Sequence, residues 1–77
     1  MNGRVLNMSH FTVKPQSTLV GKSVGALEQD YDLSVILLRR GKDADLHPAH
    51  DAVLRANDQV TVFADTTTLH RLNRLNK

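Results

Sequence analysis

Gly21-Lys22-Ser23 is the segment most suggestive of chemistry, because it matches the end of a phosphate-binding loop. Such a loop needs an earlier glycine, at position 16 here, so that backbone N–H groups can curl around the phosphates. That position is Gln16, and the residues that follow include β-branched Thr18 and Val20, poorly suited to left-handed conformations. Pro15 also breaks the chain where a buried strand should lead in. The segment therefore reads as a tight turn at Gly21 and a helix cap at Ser23. Two imidazoles and a carboxylate in His47-Pro48-Ala49-His50-Asp51 could ligate a metal. No clear further ligand lies nearby and Pro48 forces an extended or turning backbone, so a polar bend is expected and no metal. None of Ser9, Ser17, Ser23 and Ser34 sits in a nucleophile elbow, and Asp43 and Asp45 fall on a hairpin where hydration keeps carboxylates ordinary.

Arg39 and Arg40 are the most informative charges. They end an apolar strand, and because strand side chains alternate, one must point to each face. An arginine at a two-fold interface occurs twice at close range, and the like charges repel unless an anion sits between them. The two arginines are thus half of a candidate anion pocket, against the simpler expectation of a solvated strand end.

The elements that must position these residues follow from pattern. Leu6 to Val13 suits a first strand, ended by Pro15. Ser23 caps a short helix reaching about Tyr31, with Val24, Leu27 and Tyr31 as its apolar stripe and Glu28, Gln29 and Asp30 toward water. Leu33 to Leu38 is the strongest strand, and its apolar residues do not alternate, which implies cover on both faces. Gly41-Lys42-Asp43 makes a hairpin turn, Asp45 to Pro48 a returning strand, and Ala52 to Ala56 a bend. Asn57, which tolerates positive φ, leads into a strand over Gln59–Ala64 with Val60, Val62 and Ala64 on one face. Asp65 and Thr66 to Thr68 offer caps for a last helix carrying Leu69, Leu72 and Leu75. The expected fold is α+β, a small two-layer domain with a mixed β-sheet in the order β-α-β-β-β-α. Residues 1–5 are expected to be a disordered or tag-like start, and residues 6–76 the domain.

Length and composition constrain the rest. A chain of 77 residues buries only about 60% of its unfolded surface, and without cysteine neither disulfides nor thiolate-bound zinc reinforce it. Self-association is the expected remedy. The net charge of +2 is scattered, with Phe11, Tyr31 and Phe63 the only aromatics, so no nucleic-acid surface is expected. No apolar run approaches the ~20 residues of a membrane span, and no signal peptide opens the chain. So small a sheet has little room for a catalytic pocket, and no enzymatic activity is expected.

Taken in order, several of these pieces resemble one family. Leu19-Val20-Gly21-Lys22-Ser23, then Leu27 and Tyr31, the strand from Val35 to Gly41, and finally Pro48, Leu54, Asn57-Asp58 and Val60-Thr61-Val62 match the TrkA-C domain. This is the C-terminal lobe of the regulator of potassium conductance (RCK_C) module, and the resemblance runs from about Phe11 to Leu75. Asn57 and Ala64 stand where glycine is frequent in the family, as does Asp32 after Tyr31. The resemblance implies a TrkA C-terminal domain-like fold in which the Gly-Lys-Ser turn is structural. It implies a cytoplasmic homodimer, held at the cytosolic face of the inner membrane through a parent potassium channel or other ion transporter, without inserting itself. Some members bind cyclic di-AMP at the two-fold cleft. Carried over by position, the ligand-binding candidates are Ile36, Leu38, Arg39, Arg40, His47 and Pro48. The implied function is regulatory ligand sensing and dimerisation, with a small anionic ligand such as a nucleotide and no catalytic cofactor. The alternative is a purely structural dimerisation domain with no ligand.

Overall fold

The alternation in Gln-Val-Thr-Val-Phe-Ala, residues 59–64, decides how the molecule is layered. A computed structural model describes residues 5–77. Its elements are β1 (Asn7–Thr12), α1 (Val24–Tyr31), β2 (Ser34–Arg40), β3 (Asp43–Leu46), β4 (Gln59–Ala64) and α2 (Thr66–Leu75). Residues 1–4, part of the stretch expected to be disordered or tag-like, lie outside the described residues. The strands form one sheet in the order β1-β4-β2-β3. Every pairing is antiparallel, where a mixed sheet was expected. The reason is that β1 and β2 run the same way but never touch, each lying against opposite sides of β4.

Val60, Val62 and Ala64 point from β4 to the helical side and are wholly buried. There they join Val35 and Leu38 of β2, Val24 and Leu27 of α1, Leu72 of α2, and Val13, Leu19 and Leu54 from the connections. Both helices thus cover the same face, giving two layers around one core. Ser23 caps α1 as expected, its hydroxyl accepting from the Ala26 N–H at 3.1 Å, and Asp65 caps α2 by accepting from the Thr68 N–H at 2.9 Å. Beyond α2, Asn76 accepts from the Lys14 N–H at 3.0 Å and donates to the Thr12 carbonyl at 2.7 Å. The end of the chain is thereby sewn to the exit of β1. Asn57 holds φ 72°, the left-handed turn its residue type suggested.

Two local readings change. The unbroken apolar run in β2 contains a β-bulge: Val35 pairs with Val62 and Leu37 with Thr61, leaving Ile36 as the extra residue. Strand alternation is reset there, so Val35 and Leu38 both face the core and two-sided cover is only part of the explanation. Glu28 does not simply face water, because its carboxylate accepts from the Val35 N–H at 2.9 Å and so ties α1 to the start of β2.

Gly25 marks a close approach between α1 and the 49–53 loop. A Cβ there would lie 3.1 Å from the His50 Cβ and 3.2 Å from the His50 carbonyl oxygen. The loop cannot retreat freely, since the Val24 and Gly25 N–H groups donate to the Ala52 and His50 carbonyls at 2.8 and 2.9 Å. Alanine is the better helix former by about 1 kcal/mol, yet Gly25→Ala is expected to lower stability by about 1 kcal/mol, a fall of ~4–8 °C in melting temperature. A melting temperature that rises would show that the 49–53 loop yields.

Candidate functional site

Six residues were expected to meet a ligand, and in a single copy they do not share one surface. Leu38 lies in the core at 5% exposure, on the helical side of the sheet. Arg40 leaves β2 on that same side and Arg39 on the other, as alternation requires. Ile36 sits in the bulge, half-buried, and its carbonyl accepts from the His47 N–H at 2.8 Å. His47 is exposed at φ 53°, and Pro48 beside it is buried. The structure thus brings Ile36 and His47 together, places Leu38 and Arg40 behind the sheet, and sets Arg39 on the open face.

The two arginines have different work. Arg40 grips Asp58 with both arms of its guanidinium, Nε to Oδ1 at 2.8 Å and Nη2 to Oδ2 at 2.7 Å. Nη2 also donates to the Val53 carbonyl at 3.1 Å. Asp58 is 1% exposed and accepts in addition from the Arg55 N–H at 2.8 Å. Burial alone pushes the Asp58 carboxyl up, but the hydrogen bonds from Arg40 and the Arg55 N–H, with the positive charges beside them, outweigh it and hold the carboxyl below its ordinary value. The same partnership raises the Arg40 guanidinium. Arg40 is therefore a structural cation in this copy. Arg39 is exposed and makes no ion pair among the described residues.

The open face carries the rest of the candidate site. Strand register sets Met8 beside Phe63, His10 beside Thr61, and Thr12 beside Gln59 on this face, with Ser34, Leu37 and Arg39 continuing the three rows onto β2. Leu46 and Ala44 of β3 extend the rows of Leu37 and Arg39. Met8, Phe63 and Leu46 are 64%, 41% and 65% exposed, an unusual apolar content for a surface. A cleft of about 390 Å³ opens between His10, Thr12, Leu37, Arg39, Gln59 and Thr61. The sequence reading missed His10, Thr12, Gln59 and Thr61. Their signal was present in the period-two alternation of β1 and β4, which puts these polar residues on the face opposite the core.

Two other candidate chemistries dissolve in the geometry. At the Gly-Lys-Ser turn the first amides of α1 are all engaged: Val24 and Gly25 with the 50–52 carbonyls, Ala26 with the Ser23 hydroxyl, and Leu27 with the Ser23 carbonyl. No nest of free N–H groups is left for a phosphate. Among the described residues no three of the histidine and acidic side chains converge as metal ligands, and the His50 imidazole lies 3.7 Å from the Glu28 carboxylate. No helix among the described residues is long and apolar enough to cross a membrane.

Comparison with known proteins places this geometry. The sequence model of the TrkA-C domain matches residues 8–77. No curated protein matches the chain significantly. Among solved structures, the RCK_C domain dimer of S. agalactiae BusR in complex with c-di-AMP superposes with a TM-score of 0.77 and 17% identity, over 88% of this chain and 92% of that one. The RCK C domain of the potassium transport protein KtrA, also in complex with c-di-AMP, gives 0.76 and 17% over 90% and 81%. S. agalactiae BusR in complex with its busAB-promotor DNA gives 0.78 and 16%, covering 88% of this chain and 34% of that chain. The chain thus spans about a third of that regulator, and at these identities the likeness is one of fold.

The division between the arginines is open to test by thermal unfolding. Arg40→Ala strands a buried carboxylate and is expected to cost about 2–3 kcal/mol, less than a fully buried pair because Arg40 is partly solvated; Arg39→Ala should stay within about 0.5 kcal/mol. A carboxyl held low contributes stability above its unfolded pKa of about 3.9, lost as pH falls through the lower folded value. The gap between wild type and Arg40→Ala should therefore be widest near neutral pH and close below about pH 4. Equal losses from both variants would contradict the assignment.

Proposed function

Because the chain belongs to the TrkA-C domain family, we propose that it is a regulatory, dimerising module of a prokaryotic ion channel or transporter, a potassium system foremost, that senses a small anionic ligand. The observation that carries this is the sheet face opposite the helices, where Arg39 has no ion-pair partner among the described residues and where Phe63, Met8 and Leu46 are exposed. A domain of this size leaves such apolar area in water at a cost of roughly 25 cal/mol per Å², which a second copy removes. Two copies meeting there bring two Arg39 guanidinium groups toward one another, and an anion between them relieves the repulsion. The c-di-AMP complexes of the BusR and KtrA domains support a cyclic dinucleotide as that ligand. Ile36, Leu38, Arg39, Arg40, His47 and Pro48 are the proposed contact region. Within it the structure supports Arg39 as the direct contact, with Leu38 and Arg40 holding β2 in place behind it. The module works without catalysis: a ligand favouring one arrangement of the pair shifts the balance between arrangements, and turning 1:99 into 99:1 takes about 5.5 kcal/mol of differential binding.

A second reading concerns the parent. BusR is a protein bound to promoter DNA, so the module proposed here fits a DNA-binding regulator as readily as a transport protein. The lobe itself would have the same sensing role in either, at the cytosolic face of the membrane in the one and on the chromosome in the other.

Light scattering should find twice the mass of one chain, and calorimetric titration with cyclic di-AMP should show saturable heat at one ligand per two copies. Arg39→Ala should weaken binding about 10- to 100-fold, the loss of a charge-assisted hydrogen bond, while the dimer persists. A dimer silent toward cyclic di-AMP, adenine nucleotides and simple anions would mark a purely structural pairing domain.

A further inference from the structure

Resting on the anion-sensing function proposed above, we infer that a phosphate group is gripped on the open face of the sheet by Arg39 together with Gln59, Thr61, His10 and Thr12, over a floor made by Leu37. None of these four partners lies in the β2–β3 region where ligand contacts were first expected.

Strand register builds the site. Thr12, Gln59 and Arg39 form one row across β1, β4 and β2, and His10, Thr61 and Leu37 form the next. Neighbouring strands lie about 4.8 Å apart and rows on one face about 6.8 Å apart, so the array covers about 10 by 7 Å. All six residues line the cleft of about 390 Å³. Its donors are a planar guanidinium, two hydroxyls, a primary amide and an imidazole, converging from three strands. A guanidinium presents a fork matched to phosphate oxygens, and the flanking hydroxyls and amide can satisfy the remaining lone pairs. A volume near 390 Å³ exceeds a bare phosphate and suits a phosphorylated metabolite or one half of a dinucleotide.

Charge selects this cleft over a larger depression on the other side of the sheet. No aspartate or glutamate lines it. The cleft behind the β2–β3 hairpin, about 520 Å³, is lined by Asp43, Asp45 and Asp51 against Arg55, and the Arg40 that also lines it is already neutralised by Asp58. An anion approaching that side meets net negative charge. On the open face it meets an arginine with no carboxylate partner among the described residues. The donors also stand on hydrogen-bonded strands of the sheet rather than on loops, which limits the ordering required when the ligand arrives.

Calorimetric titrations of the full chain with inorganic phosphate, adenosine monophosphate and cyclic di-AMP test this, using wild type, Gln59→Glu and Thr61→Val. Both substitutions sit on the solvent side of β4, and unfolding curves would confirm that each variant keeps its fold. At least one probe should bind wild type, more weakly by about three- to tenfold in Thr61→Val and by at least about tenfold in Gln59→Glu, where a carboxylate faces the anion. Heat with phosphate alone would assign the site to the phosphate group, and heat only with the nucleotides would show that the rest of the ligand contributes. Wild-type binding that both variants retain unchanged would overturn the inference and leave the sensing function standing. Absence of binding by all three probes to wild type would remove both.

Discussion

A buried carboxylate held by a partly solvated arginine, Asp58 with Arg40, is the constraint on which the arrangement of this domain depends. Asp58 has its side chain closed from water and every oxygen occupied, by the two arms of Arg40 and by the Arg55 N–H. Its backbone is equally committed: the carbonyl accepts from the Val13 N–H at 2.8 Å, and the N–H donates to the Arg55 carbonyl at 3.1 Å. Through these contacts one residue joins the end of β2, the 53–58 turn and the exit of β1. The carboxylate is costly to bury and nearly impossible to bury alone, so these segments must meet in one geometry. A small core without disulfides gains specificity from such a point even where the net energy of the pair is modest.

That commitment also separates two neighbouring residues of the same type. Arg40 leaves on the helical side and is neutralised, while Arg39, one residue earlier, stands on the open sheet face with no carboxylate partner among the described residues. The alternating geometry of a strand produces the division without any further device. Adjacent positions can then vary independently: the charge that holds the hairpin is not the charge left on the open face. The exposed apolar residues farther along that face follow the same logic, because Phe63 and Met8 add nothing to the core from where they stand.

Much of this was legible in the chain, for reasons specific to each element. The β4 segment has strict alternation, and its buried set of Val60, Val62 and Ala64 could be read directly. The α1 boundaries followed from Ser23 as cap, and the left-handed turn from Asn57. Local chemistry dictates both. The bulge at Ile36 was hidden, because an apolar run with one extra residue looks the same as a strand covered on both faces. The Glu28 carboxylate bonded to the Val35 N–H and the Asp58–Arg40 pair were hidden for another reason: each joins residues from different elements, and pairing at that separation leaves no periodic trace. The candidate contacts carried over by resemblance form one stretch of chain, and in a single copy they fall on both sides of the sheet, since a strand sends consecutive side chains to opposite sides.

The Gly-Lys-Ser segment shows how the same residue types can be diverted from one chemistry to another. A phosphate loop holds its ligand with backbone N–H groups that have no other partner. Here the chain from His50 to Val53 runs across the start of α1, its carbonyls taking the Val24 and Gly25 amides, and Val53 bridging to Ser23. Gly21, at φ 91°, turns the backbone so that its own N–H reaches the Leu54 carbonyl at 2.9 Å. The absence of a side chain on Gly25 is what lets that strand of loop approach closely enough to do this. The helix terminus is thus closed by the protein's own backbone, and an anion must be held by side chains or not at all. One such side chain, Arg39, stands on the open face of the sheet.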